Sequence, residues 1–301
     1  MDKKFKRKQD FLKKHFFTFD GYEKISNDYL SNLKKAKNKM GLSLKEKQYF
    51  EFLYEFYFKI DTNIVELSKG LKLLFVKNNL MPSVFLLRGL TELIFFNIYV
   101  AFKSYQHIKK NNIEGLVDLI LRANMATDVD SLRSKSLKQE SAIYKRIINK
   151  YNGKRIHIND CIRFFKKDHI QKIIKTKENN KIDSYQTLEN SKKGLTTGTF
   201  TMEDGEVIDL SIMTEVGLSL ERSRIIQAYD RMCEIIHPTA IKIYDATDPQ
   251  TQDDFEELFM HILDSPLFPI NCFSSSYKYF VIYNFVENKE NFIKVFNEKL
   301  K

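Results

Sequence analysis

The segment from Tyr229 to Pro238 carries the residue types best suited to chemistry in this sequence. A proline disfavours helical geometry at the residue before it, so we expect His237 to lie at a helix end. An imidazole titrates near neutral pH and acts as a general acid or base in a water-accessible pocket. Arg231 adds a guanidinium that can hold an anion through two hydrogen bonds. The segment therefore predicts acid–base chemistry on an anionic substrate.

The spacing of these residues leaves two interpretations open. Tyr229, Cys233 and His237 share one helix face at four-residue intervals, whereas Arg231 and His237 lie about 120° apart on an unbroken helix. Arg231 and His237 therefore meet on one anion only if the helix breaks or if two subunits face each other. Alternatively, His237 caps the helix and has a structural role only. No metal is predicted, because Cys233 and His237 lack a further ligand pair at plausible spacing.

A second pair of candidate residues, Arg88 and Glu92, lies inside the apolar stretch from Val84 to Phe102. Buried charges are costly unless they are paired. Four-residue spacing puts both side chains on one face, where they either neutralise each other as a structural clamp or set the protonation of His237. Each charge would cost about 2.5–3.5 kcal/mol near a bilayer centre, so we expect a helix buried in a bundle and no stable membrane insertion.

The elements that must position these residues are predicted to be helices. Gly (10) and Pro (5) are scarce, which favours long helices with few connections. Ser43 and Glu46 form a capping-box pattern, and apolar residues then recur every three or four positions over seven turns. Pro82 suits the first turn of a second helix, apolar on nearly every side, that packs antiparallel to the first as the central helix. The fold class predicted is an all-α helical bundle.

The charge along the chain is uneven. Residues 131–181 hold 15 Lys or Arg against four acidic residues, a net charge of +11 that exceeds the +10 of the whole chain. We interpret this stretch as short basic amphipathic helices that either form a solvated surface or bind a polyanion such as RNA. The candidate substrate-binding cations in it are Lys145, Arg146, Lys154 and Arg155. Residues 243–277 contain no Lys or Arg and seven acidic residues.

The same patterns suggest how the chain is organised. Asp204-Gly205 between two β-prone stretches predicts one small β-hairpin. The division we predict is a basic N-terminal helical segment (1–42), a helical bundle core (43–130 and 216–301), and a basic helical insertion with a loop (131–215). Three widely spaced cysteines, and an N-terminus without the apolar stretch of a signal peptide, favour a cytoplasmic protein.

Arg231-x5-His237 at a helix end of an all-helical chain resembles the R-x4-6-H signature of the HEPN superfamily. Arg-Gly-Leu-Thr-Glu at 88–92, with Tyr-x7-His-Pro from Tyr229, also resembles uncharacterised bacterial HEPN-related helical families. The resemblance covers residues 43–110 and 216–245.

The resemblance implies a metal-independent endoribonuclease, without a cofactor, that acts as a growth-arrest toxin or an anti-phage defence effector. His237 would be the general acid or base, Arg231 would hold the scissile phosphate, and Glu92 would orient the histidine; Arg88 and Tyr229 would contact the substrate. It also implies a homodimer and a partner or antitoxin protein. The alternatives are a non-enzymatic helical sensor or interaction module of a defence system and a nucleic-acid-binding adaptor.

Overall fold

The structure is a computed structural model, and helices account for nearly all of the secondary structure it describes. The described residues are 31, 41–77, 79–125, 142–151, 153–166, 199–201, 207–209, 222–236, 249–263 and 271–301 without 272, 273, 275, 276, 279, 280 and 283. Their elements are α1 (Leu44–Val76), α2 (Leu80–Lys109), α3 (Ile113–Asn124), α4 (Ala142–Tyr151), α5 (Ile158–Lys166), β1 (Thr199–Thr201), β2 (Val207–Asp209), α6 (Arg222–Ile236), α7 (Pro249–Leu263) and α8 (Lys289–Leu300). The predicted all-α helical bundle is confirmed in these residues.

Helix α1 begins at the predicted capping box. The Ser43 hydroxyl accepts a hydrogen bond from the backbone N–H of Glu46, and the Glu46 carboxylate accepts one from the N–H of Ser43 at 2.7 Å. These bonds satisfy two of the four amides that a helix start leaves without partners. The predicted apolar stripe is buried, including Leu53, Ile60 and Ile64, so burial of this face holds α1 in the bundle.

Helix α2 is the central helix, as predicted, and contacts α1, α3, α5, α6 and α7. The three-residue connection after α1 makes the two helices antiparallel, and Gly70 of α1 lets them approach closely. A Cβ at Gly70 would lie 3.2 Å from the Cδ1 atom of Leu86. Within the described residues, Met81–Lys109 is also the one stretch long and apolar enough to cross a membrane, and 61% of its most apolar window is buried by neighbouring elements.

Buried polar side chains connect α1 and α2 with the helical residues in the range 271–287. Lys278 Nζ lies 2.7 Å from Asp61 Oδ1, and both side chains are at most 1% exposed. Asn97 Nδ2 donates to Asn271 Oδ1 and to Ser274 Oγ, each at 2.7 Å. None of these contacts was predicted. They join elements that lie more than 170 residues apart in sequence.

Helices α4 and α5 come from the predicted basic insertion and share the bundle's hydrophobic core. Ile147 and Tyr151 of α4, with Cys161 and Phe164 of α5, are buried in it. Strands β1 and β2 pair antiparallel, with Thr199 opposite Asp209 and Thr201 opposite Val207, and the predicted hairpin turn at Asp204-Gly205 lies outside the described residues. The N-terminal segment 1–42 lies almost entirely outside the described residues.

Helical residues 284–287 are separated from α8 at Asn288, whose backbone has φ −116° and ψ 28°. The Asn288 side chain donates to the backbone carbonyl of Asn284 at 3.4 Å. The backbone N–H of Asn288 donates to the same carbonyl at 3.0 Å, so the backbone hydrogen bonds continue across the interruption.

Candidate functional site

Arg88 and Glu92 lie on one face of α2, as their four-residue spacing predicts. Arg88 Nε is 3.0 Å from Glu92 Oε1, and about a quarter of each side chain is exposed. Most of the surrounding helix is buried, including Leu87, Leu90 and Thr91. The pair is therefore held by a rigid helix, and it still reaches solvent.

Helix α6 places Tyr229 against this pair. The Tyr229 hydroxyl donates to Glu92 Oε1 at 2.7 Å, and its ring packs edge-on against Phe95 with centroids 6.0 Å apart. Burial is the largest cause that raises the pKa of Tyr229 above its ordinary value. The hydrogen bond to Glu92 and the negative charge of the Glu92 carboxylate raise it further. The phenol is therefore a hydrogen-bond donor throughout the physiological pH range.

Cys233, one helical turn after Tyr229, completes the cluster. Its thiol is close enough to raise the pKa of Tyr229 further, though less than Glu92 does. Burial lowers the pKa of Arg88, but the negative charge of Glu92, with smaller contributions from Cys233 and from the hydrogen bond with Tyr229, outweighs burial and raises it overall. We call Arg88, Glu92, Tyr229 and Cys233 the α2–α6 cluster.

Arg231 lies outside this cluster. Two residues from Tyr229 on a helix correspond to about 200° of rotation, so Arg231 projects from the opposite side of α6. Its Nη1 is 3.0 Å from Glu234 Oε2, and its Nη2 is 3.9 Å from Asp254 Oδ2 of α7. Of the three predicted catalytic residues, Glu92 therefore joins the predicted substrate-binding Arg88 and Tyr229, and Arg231 does not.

His237 lies outside the described residues, since α6 is described as far as Ile236. The convergence of His237 and Arg231 on one anion therefore stays a prediction.

The four predicted basic substrate-binding residues form a separate region. Lys145 and Arg146 are exposed on α4, and Lys154 and Arg155 are exposed in the connection to α5. Arg122 of α3 donates a hydrogen bond to the backbone carbonyl of Lys154, and α5 packs against Tyr99 and Phe102 of α2. The sequence prediction grouped these cations with Arg88 and Tyr229, whereas the structure separates them into two regions that share a helix.

Sequence reasoning missed two features of this region. The direct hydrogen bond between Tyr229 and Glu92 was not predicted. The available signal was that Tyr229 and Cys233 share one face of α6, which indicates a face that contacts another helix. The buried Asp61–Lys278 pair was also missed; the available signal was an aspartate directly beside Ile60 of the α1 apolar stripe. Within the described ranges, no group of three or more His, Cys, Asp or Glu side chains is placed to hold a metal ion.

The α2–α6 cluster can bind and orient a polar substrate. Its guanidinium can hold an oxyanion, its protonated phenol donates a hydrogen bond, and its carboxylate can accept one. The chain was compared with protein-family models, curated proteins and solved structures, and none of them matches it.

Proposed function

We propose that this protein is a metal-independent endoribonuclease, similar to HEPN ribonucleases, that acts in the cytoplasm as a growth-arrest toxin or anti-phage effector. The observation that carries the proposal is the contact of Tyr229 with Glu92 beside Arg88 at the part-exposed junction of α2 and α6. This contact joins the two sequence patterns on which the resemblance rests, although they are separated by more than 130 residues.

The proposed chemistry uses the ribose 2′-OH as the nucleophile, which is why RNA and not DNA is the substrate. His237 removes the 2′-OH proton or protonates the leaving 5′-oxygen, which requires a pKa near the working pH, and water carries out the other proton transfer. Glu92 orients the histidine or the substrate hydroxyl. Attack on the adjacent phosphorus expels the 5′-oxygen and leaves a 2′,3′-cyclic phosphate end.

The contacts support Arg88 as the residue that holds the scissile phosphate. Its guanidinium lies beside Glu92 and also interacts with Cys233 and Tyr229 at the part-exposed junction of α2 and α6. Arg231, to which the sequence pattern assigns this role, is engaged by two carboxylates on the other side of α6. In this proposal Arg231 reaches a phosphate only when a second subunit contributes it.

The test is cleavage of a mixed-sequence RNA by the purified protein in the presence of EDTA, with analysis of the product ends. We expect cyclic phosphate ends and a loss of about 10²–10⁴-fold in rate for His237→Ala. Arg88→Lys keeps the charge and removes the two-point contact, and we expect a loss of about 10²-fold or more. Glu234→Gln on the exposed side of α6 is the matched control and should keep full activity.

A non-enzymatic sensor or interaction module is the second candidate, because Arg88, Glu92 and Arg231 all have charged partners within hydrogen-bonding or ion-pairing distance. In that case these residues stabilise the packing of α2, α6 and α7. Uncut RNA under every condition, or loss of helical circular dichroism in both His237→Ala and Arg88→Lys, would favour this candidate over the nuclease.

A further inference from the structure

A dense set of exposed cations occupies α4, the following turn and α5. We call it the basic platform, and its members are Lys145, Arg146, Lys150, Lys154, Arg155 and Arg163, all of them exposed. The one acidic residue between positions 145 and 163 is Asp160, and its carboxylate accepts the backbone N–H of His157 at 3.2 Å. The platform is therefore strongly positive.

The platform cations differ from many other cations of the protein in having no acidic partner. None of the six forms an ion pair with another described residue, whereas Lys69, Lys289 and Lys299 pair with glutamates at 3.1 Å or less. Lys154 Nζ lies over the Tyr151 ring, 5.7 Å from its centroid, which leaves its charge uncompensated. Uncompensated cations at this density attract a polyanion.

The platform is anchored on the bundle. The Tyr151 hydroxyl donates to Asp118 at 3.2 Å, and Arg122 Nε donates to the backbone carbonyl of Lys154 at 3.1 Å. Gly153 has φ +82°, a conformation that glycine adopts readily, and it turns the chain between α4 and α5. The cations therefore project from a fixed surface and not from a freely moving segment.

Helix α5, which carries the platform residue Arg163, packs on the face of α2 that also carries Glu92. Phe164 of α5 packs edge-on against Tyr99, with ring centroids 5.4 Å apart. Tyr99 follows Glu92 by seven residues, almost two full turns, so both project from one side of α2 about 10 Å apart along its axis.

We propose that the basic platform binds the sugar–phosphate backbone of single-stranded RNA and holds the strand whose scissile linkage lies at the α2–α6 cluster. The inference rests on the proposed ribonuclease function for the identity of the strand. A single strand fits because in-line attack by a 2′-OH requires alignment of the reacting atoms, which a base-paired helix restrains. Recognition is independent of base sequence, because the exposed charged side chains of the platform contact phosphates.

The test measures binding separately from cleavage. A fluorescent single-stranded RNA is titrated with the His237→Ala protein over a range of salt concentrations. Single-strand binding falls with salt by about 0.7 log units per log unit of salt for each phosphate neutralised. We expect Lys154→Ala/Arg155→Ala to weaken binding and to reduce this slope by about 1.4. Lys69→Ala/Lys77→Ala, which removes the same charge from α1 and the residue that follows it, should leave the affinity for RNA and the salt slope unchanged.

A DNA strand of equal length should bind with the same salt slope and remain uncut, because the platform contacts phosphates. In the active protein, the platform variant should raise the KM for a long RNA more than it lowers kcat.

Equal weakening by the platform and control variants, or binding without salt dependence, would overturn the inference while leaving the ribonuclease proposal standing. If single-stranded RNA does not bind and the platform variant instead loses binding to vesicles rich in phosphatidylserine, the platform is a membrane-binding surface and the inference is overturned. Strand binding that depends on the platform, combined with absence of cleavage by the unmodified protein, would support the platform and refute the ribonuclease.

Discussion

The ion pair between Asp61 and Lys278 allows the packing of the C-terminal part on the α1–α2 hairpin to be tested quantitatively. Both side chains are at most 1% exposed, and Lys278 Nζ also lies 5.7 Å from the centroid of the Tyr57 ring. Burial lowers the pKa of Lys278, and its attraction to Asp61 acts against that effect. Each charge therefore depends on the other to remain in the protein interior.

Removing one member of the pair should be far more damaging than removing both. Lys278→Met keeps the length of the stem and leaves the Asp61 carboxylate without its cation, and we expect a loss of about 3–5 kcal/mol in the free energy of unfolding. Asp61→Val should cost a similar amount. The double variant leaves no buried charge from the pair, so its loss should be smaller than the sum of the two single losses by about 3 kcal/mol or more.

Urea denaturation provides the measurement, with far-ultraviolet circular dichroism and tyrosine fluorescence as two probes, because the chain has no Trp. Coincident transitions are required before free energies are compared. Lys69→Met, at an ion pair in which both side chains are about half exposed or more, is the control and should cost less than about 1 kcal/mol. Additive losses at Asp61 and Lys278 would refute the reasoning, because they would mean that neither charge depends on the other.

Three further predictions concern helix ends and glycines. Hydrogen bonds from Ser43, followed by the interaction with the Lys289 ammonium, lower the pKa of Glu46 from 4.5 to about 2. The contribution of Glu46 to stability is therefore complete above pH 4.5 and is lost as the pH falls toward 2. Urea midpoints measured across this window should show the loss in the unmodified protein and not in Glu46→Gln. Gly89→Ala should raise stability by about 0.5–1 kcal/mol, because no atom lies within 4 Å of the added Cβ. Gly115→Ala should lower it, because its Cβ would overlap the His107 ring; thermal shifts of the same sign for the two alanine variants would contradict this account.

Much of the helical architecture could be predicted because it depends on local patterns. The capping box at Ser43, the apolar stripe of α1 and the nearly all-apolar α2 each follow from spacing within one segment. The helix face on which each candidate residue lies could be predicted for the same reason, because Arg88 and Glu92 share a face wherever α2 is packed.

Which helices pack together could not be predicted in the same way. Periodicity shows that Tyr229 shares a face with Cys233, but it contains no information that this face contacts Glu92. The engagement of Arg231 by Asp254 likewise depends on where α7 packs. A lysine as fully buried as Lys278 is rare, so a sequence argument assigns such a residue to the surface.

The amide contacts of Asn97 have a consequence for how the C-terminal helical residues align with α2. Asn271 lies beside Asn97, and Tyr277 lies beside Tyr105 with ring centroids 4.7 Å apart, so the two elements run in the same direction. Apolar surfaces tolerate a slip of one turn, about 5.4 Å, with little change in buried area. Such a slip would strand the Asn97 amide in an apolar environment, so Asn97 selects one alignment from several that hydrophobic packing alone would permit.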